Sequence, residues 1–163
     1  DLKSFPVSKT TDIQAYIIRC QKKYRIPNYR CIVDEDGVGG GVVDSCNIQG
    51  FVNNSRALKD ENYQNLQAQC GYKLAEHINA SDVGINEDLV SQADKEQIAR
   101  ELEQLQTWKP DDDGSLKLKP KEAIKEDLGC SPDWRDMMLM RSWFDYNEYE
   151  IPDDIERRLG LTG

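Results

Sequence analysis

The sequence contains a single histidine, His77, no C-x-x-C pair, and no apolar run of about 18 residues. One histidine cannot build a two-histidine zinc site, and a Ser-His-Asp triad would rest on this residue alone, in the helical stretch KLAEHIN. Without a long apolar run no membrane span is expected. The N-terminal stretch DLKSFPVSKT has no apolar core like that of a secretory signal. The five cysteines (Cys20, Cys31, Cys46, Cys70, Cys130) are odd in number and scattered, which reads as buried reduced thiols in a cytosolic protein. The N-x-S sequons at Asn53 and Asn79 are then chance matches. Repeats and low-complexity linkers are absent.

An excess of basic charge is missing too. The net charge is −9, with 9 Lys+Arg against 7 Asp+Glu in residues 1–60 and 12 against 23 in residues 61–163. This argues against a general nucleic-acid coat protein. It leaves room for an enzyme that meets nucleic acid through a local basic strip and metal ions.

What is present is the composition of a soluble globular domain, 38% hydrophobic and 31% charged over 163 residues, enough chain for one domain with a real core. The start without Met is that expected of a fragment of a longer protein. Thr10 or Thr11 is placed to cap a helix over about 12–24, with Ile13, Tyr16, Ile17, Cys20 and Tyr24 on one face. Pro27 and Asn28 break it, and YRCIVD (29–34) reads as a short buried strand. The glycines after it open a short helix through Val42 and Val43, followed by a strand over NIQGFVN (47–53).

NYQNLQAQCGYKLAEHIN (62–79) is amphipathic through Tyr63, Leu66, Cys70, Leu74 and Ile78. Ser91 with Asp94 forms a capping box ahead of a helical stripe of Ile98, Leu102, Leu105 and Trp108. KPDDDGSLKLK (109–119) holds an Asp-Gly turn and a brief alternating strand. Pro120 suits a helix N1 position, Ile124 and Leu128 give that helix its apolar side, and Gly129 ends it. A last buried helix is predicted over 131–144, with Met137 to Met140 in the core, and residues 148–163 read as a polar tail. Strands alternating with helices mean α/β, with at least part of the sheet parallel.

Two clusters carry chemistry. In IVDEDGVGGGVVDSC (32–46), Asp34, Glu35 and Asp36 precede Gly37, Gly39, Gly40 and Gly41. No Lys follows the glycines as a Walker loop requires, and a G-x-G-x-x-G fingerprint counted from Gly37 ends on Val42. Hard carboxylate ligands for Mg²⁺ or Mn²⁺ at a strand end fit better, with Asp34 and Asp36 on one face and Glu35 on the other. The glycines would let the chain turn sharply and let a phosphodiester approach. A solvated acidic turn at a helix N-terminus is the plainer alternative.

In GCSPDWRDMM, Asp133 and Asp136 share a face at a helix start, with Ser131 placed to cap; ordinary N-terminal capping is again the plainer alternative. KLKPKEAIK sets Lys117, Lys119, Lys121 and Lys125 just ahead of these acids, as a solvated face or as a strip contacting a nucleic-acid backbone.

Together these motifs resemble the C-terminal nuclease domain of the large terminase subunit of tailed phages and prophages. IVDEDGVGGGVVD is similar to that family's strand-end acid followed by G-x-G, and LGCSPDWRDMMLM to its S-P-D-x-x-D-A helix. The helix NLQAQCGYKLAEHIN and the Lys-rich approach agree, and the likeness runs to about Phe144. It implies an RNase H-like mixed sheet flanked by helices over residues 1–147, and a hydrolase of the host bacterial cytoplasm. The implied activity is that of an Mg²⁺- or Mn²⁺-dependent endonuclease of DNA packaging, cutting double-stranded DNA by two-metal hydrolysis.

The terminase ATPase domain, the small terminase subunit and the portal protein are the implied partners. By position, Asp34 and Asp133 are the implied catalytic, metal-binding acids and Asp136 an accessory ligand. Asp36, Gly37, Gly39 and Lys121 stand beside them, with Lys121 a candidate phosphate contact; Glu35 and Asp36 have no firm counterpart. The family's first-strand acid has none either, since Asp1 and Asp12 sit in no such strand. The domain is therefore expected to be N-terminally incomplete and the fragment weakly active or inactive. A non-catalytic assembly module that docks on the packaging motor through its acidic half, and a nucleotide-binding α/β domain, are the competing readings.

Overall fold

The computed structural model describes residues 5, 9–109 and 114–147. The predicted polar tail (148–163) and three acids of the predicted Asp-Gly turn (111–113) lie outside the described residues.

Helix α1 (Thr10–Tyr24) follows Lys9, which makes no side-chain cap bond, so neither threonine caps it; the backbone N–H of Asp12 bonds the Lys9 carbonyl instead. Its predicted stripe is half-buried at Ile13, Tyr16, Ile17 and Cys20, while Tyr24 is exposed. The predicted strand at 29–34 shortens to β1 (Ile32–Asp34), because Asn28–Arg30 close a 3₁₀ turn behind Pro27. A second 3₁₀ turn, Gly37–Gly39, leads into α2 (Gly40–Cys46), and Asn47 ends that helix in the left-handed conformation. β2 (Gln49–Phe51) then pairs with β1 in parallel, Ile32 opposite Gln49 and Asp34 opposite Phe51.

Helix α3 (Leu66–Asn79) is capped by Asn65, whose side chain accepts from the N–H of Ala68. Helix α4 (Gln92–Leu102) is capped by Ser91 at Asp94, as the capping box predicts. The stripe does not continue to Trp108. The helix stops at Leu102, and Trp108 lies exposed in β3 (Thr107–Trp108), antiparallel to β4 (Lys117–Leu118). Around β4 the alternation is inverted: Lys117 and Lys119 are buried while Leu116 is 39% exposed, so these lysines are not a solvated face.

Pro120 precedes α5 (Lys121–Leu128) as its N-cap rather than its first residue, and Gly129 ends it at φ 72°. The last predicted helix divides into α6 (Asp133–Arg141) and α7 (Trp143–Tyr146). Ser131 does not cap α6: the residue before the helix is Pro132, which makes no side-chain cap bond. Of the methionines assigned to the core, Met137 is exposed; Leu139 is the buried residue of that run.

Side chains alternate across a strand, and β1 uses both faces. Cys31 and Val33 pack on Val42, Cys46 and Ile48 together with Ile13 and Ile17 of α1. Ile32 packs on the opposite cluster of Phe51, Leu66, Cys70, Leu74 and Leu139, drawn from β2, α3 and α6. Each such side chain, fully buried, contributes about 1.5–3 kcal/mol. The parallel pair is thus held between α1 and α2 on one side and α3 and α6 on the other. Asp34, two residues after Ile32, ends the strand on the side that α6 covers.

Candidate functional site

The turn after β1 draws Asp34 and Asp36 together. Asp34 Oδ1 accepts the backbone N–H of Asp36 at 3.0 Å and Asn53 Nδ2–H at 3.2 Å. Asp36 Oδ2 accepts the same Asn53 Nδ2 at 2.8 Å and the Asn53 backbone N–H at 3.2 Å. One amide therefore ties the two carboxylates. They share a side because the chain turns and not by strand alternation, since β1 has ended at Asp34. Glu35 points elsewhere, with its carboxylate against Gly50, where a Cβ would lie 1.8 Å from Oε2.

Two glycines make the turn possible. Gly37 holds φ 77°, a conformation that side chains disfavour. Gly39 is packed so closely on the strand end that a Cβ would lie 1.6 Å from the carbonyl oxygen of Asp34. Their observed role is backbone geometry.

Asp34, Asp36, Asn53, Asn65, Lys119 and Lys121 are among the residues that line an open cleft of about 430 Å³. Lys119 is buried, donates to Gln104 Oε1 at 2.7 Å and pairs with Asp127. Lys121, the first residue of α5, places Nζ 2.6 Å from Asp136 Oδ2. The other oxygen of Asp136 accepts Nε and Nη2 of Arg135, at 3.0 and 2.6 Å. Both oxygens of Asp136 are thereby occupied by cations. Asp133, at the start of α6, is exposed and does not line the cleft.

Asp34, Asp36 and Lys121 thus line the same cleft, Asp136 reaches it through Lys121, and Asp133 stands apart. The strand-end donors fit Mg²⁺ or Mn²⁺ in kind, being hard carboxylate oxygens. In number they are one short, because among the described residues no three His, Cys, Asp or Glu side chains gather closely enough to hold an ion.

Three contributors escape sequence reasoning. Asn53 shows only as the first residue of a chance sequon, although it is the residue that joins Asp34 to Asp36. Arg135 is 1% exposed and Glu101 2%, positions where charge is unexpected without a fixed partner. Glu101 had a detectable signal: it falls beside Ile98 on the buried side of α4. The cysteines stand away from the cleft walls, and Cys70 is inert, since burial, aided by Asp145, pushes its thiol up to about 12. Burial also raises the Cys31 thiol.

No family profile and no curated protein matches the sequence. Solved structures do match the fold. A lysine-to-alanine variant of the nuclease domain of the large terminase subunit gp2 of bacterial virus Sf6, with manganese, is similar at a TM-score of 0.68 and 17% identity. The two share 86% of this chain and 76% of that one. The same domain without the substitution aligns at 0.64 and 19% identity, over 86% and 75% of the two chains. The variant with calcium aligns at 0.64 and 16%, with the same coverage. The chain has the fold of a large-terminase nuclease domain.

Proposed function

We propose that this chain is the nuclease domain of a phage DNA-packaging terminase and cuts duplex DNA by divalent-metal-dependent phosphodiester hydrolysis. The observation that carries the reading is the cleft itself: it is lined by the strand-end carboxylates Asp34 and Asp36 together with Lys121, whose Nζ is held by Asp136. The Sf6 domains of this fold, studied with manganese and calcium, support it. Support for a wider, RNase H-like mixed sheet comes from β1. In its register with β2, Val33 makes the ladder bonds, and Ile32 and Asp34 turn their backbone groups to an edge unpaired among the described residues.

Asp34 would hold Mg²⁺ or Mn²⁺ at the cleft. Asp133, which lies outside the cleft, is assigned as a ligand only by its place in the S-P-D-x-x-D stretch. The ion when bound supplies an activated water and offsets charge on the phosphoryl and leaving oxygens. Asn53 orients Asp34 by fixing Oδ1. Lys121 carries the positive charge that meets a phosphodiester, and Asp136, gripped by Arg135, fixes where that charge sits. Asp136 in this arrangement orients Lys121 more readily than it ligates an ion. Asn65 and the other amides of the rim contact a sugar-phosphate backbone without reading bases, which suits cutting without strong sequence preference. The ATPase domain, small subunit and portal of a packaging motor, in a host bacterial cytoplasm, are the partners this assignment brings.

A non-catalytic docking module is favoured by one fact, the excess of acids in residues 61–163. Calorimetry with Mn²⁺ separates the two: the nuclease reading expects binding that Asp34→Asn weakens, and a docking module expects none.

A further inference from the structure

We infer that the C-terminal half of α1 and the turn behind it form a second surface for duplex DNA, gripping the phosphate backbone away from the cleft. The inference rests on the nuclease reading for the identity of the polyanion. Residues 13–33 hold five basic side chains and no acid, in a chain whose net charge is −9. The five, Arg19, Lys22, Lys23, Arg25 and Arg30, are all exposed, and none lines the cleft.

Arg19, Lys22 and Lys23 stand at i, i+3 and i+4, so they share one face of α1. Ile13 and Ile17, on the other face, pack on Val42, Cys46 and Ile48 and so turn the basic row outward. Among the described residues none of the five pairs with a carboxylate. Like charges at this spacing repel one another. Complementing the helix dipole accounts for Lys22 and Lys23, which lie in the last turn. It does not account for Arg19 or Arg30, outside that turn. Arg25 is further from explanation, since it ends the helix at φ 54°, a position that glycine fits best.

The row is held in place. The backbone N–H of Ile26 donates to the Gln21 carbonyl at 2.9 Å, and Gln21 Nε2 donates to Asn28 Oδ1 at 3.0 Å. These bonds tie the turn that carries Arg25 and Arg30 back to α1. Arg19 lies 5.2 Å from the ring centroid of Tyr16. Lys23 Nζ lies 4.5 Å from that of Tyr24 and donates to its hydroxyl at 2.6 Å. Tyr24 is itself 47% exposed. Lysine is scarce at protein–protein interfaces, whereas phosphate contacts are made by Arg, Lys and Tyr alike. That favours nucleic acid over an acidic protein. From Arg19 to Arg25 the row runs about 9 Å along the axis, the reach of about three phosphates of one strand.

The test is filter binding of a mixed-sequence duplex over a salt series without divalent ions, with circular dichroism and thermal melts alongside. The triple variant Lys22→Gln, Lys23→Gln, Arg25→Gln should lower the slope of log affinity against log salt by about two to three, near 0.9 for each lost contact. Arg25→Gly removes one charge and gives the left-handed position its favoured residue. Its slope should fall by about one while its melting temperature holds or rises. A folded triple variant with the wild-type slope overturns the inference. So does a triple variant that loses binding to a polyglutamate peptide and keeps its duplex binding, which marks a surface for an acidic protein. If the triple variant does not fold, Arg25→Gly decides. Slope loss in these variants, in a protein that neither binds Mn²⁺ nor nicks plasmid DNA, upholds the inference and overturns the nuclease reading instead.

Discussion

Lys121 Nζ and Asp136 Oδ2 stand 2.6 Å apart across the junction of α5 and α6, with the lysine side chain about one-third exposed and the carboxylate largely covered. Arg135 holds the remaining oxygen of Asp136, so the lysine is aimed without being fully neutralised by its partner alone. Lys121→Ala should weaken duplex DNA binding and lower the slope of log affinity against log salt by about one, the signature of one lost phosphate contact. An unchanged salt slope in a filter-binding series would remove Lys121 from the interface.

Asn53 is the residue that binds Asp34 to Asp36, through a single Nδ2 and its own backbone N–H. Asn53→Ala removes the side-chain bonds and leaves the backbone one. Calorimetric Mn²⁺ affinity should fall about 10- to 100-fold, as when other groups that orient metal-binding carboxylates are removed. The melting temperature should move little, since Asn53 is not part of either apolar cluster. Wild-type affinity in this variant would mean that the strand-end acids need no such tie.

Gly39 allows the turn to lie on the end of β1. A methyl group there would overlap the Asp34 carbonyl, and backbone on both sides leaves little to yield. Gly39→Ala should cost about 1–3 kcal/mol or more in urea unfolding. Gly41→Ala, where a Cβ meets nothing within 4 Å, is the control and should be close to neutral.

Cys70 gives the protein an alkaline limit. Its thiol is raised from an ordinary value of 9.0 to about 12 in the folded state, first by burial and then by Asp145. The unfolded chain therefore releases this proton at lower pH than the folded one. The contribution is complete below pH 9 and is lost as pH rises from about 9 to about 12. Urea midpoints should drop across that window, and Cys70→Ala should flatten the drop while lowering stability at neutral pH.

Elements with a 3.6-residue apolar stripe were legible in the sequence: α1, α3, α4 and α5 lie close to where their periodicity puts them. So did the parallel pairing implied by a strand, a short helix and a second strand. What stayed hidden was decided by partners distant in sequence. Lys117 and Lys119 face inward because Lys119 finds Gln104 and Asp127, which no local pattern announces. Trp108 fits the α4 stripe by spacing, yet the helix stops six residues before it and the chain pairs with β4 instead.

At the candidate site the motif residues were visible as acids and glycines, and their division of labour was not. Asp34 and Asp36 converge through a 3₁₀ turn and an asparagine from beyond β2. Ser131 was the local candidate to cap α6, and a buried glutamate from α4 occupies that role instead. Such assignments depend on which helices pack together, which a single sequence leaves open.

The central claim, that Asp34 and Asp133 serve one metal-dependent hydrolysis, is tested most directly by Mn²⁺-dependent nicking of supercoiled plasmid. Wild type, Asp34→Asn and Asp133→Asn would be compared in the longest form of the protein that cleaves, with circular dichroism to confirm the fold. The account predicts that each substitution abolishes cleavage and leaves the spectrum unchanged. Cleavage at the wild-type rate by both variants would contradict it.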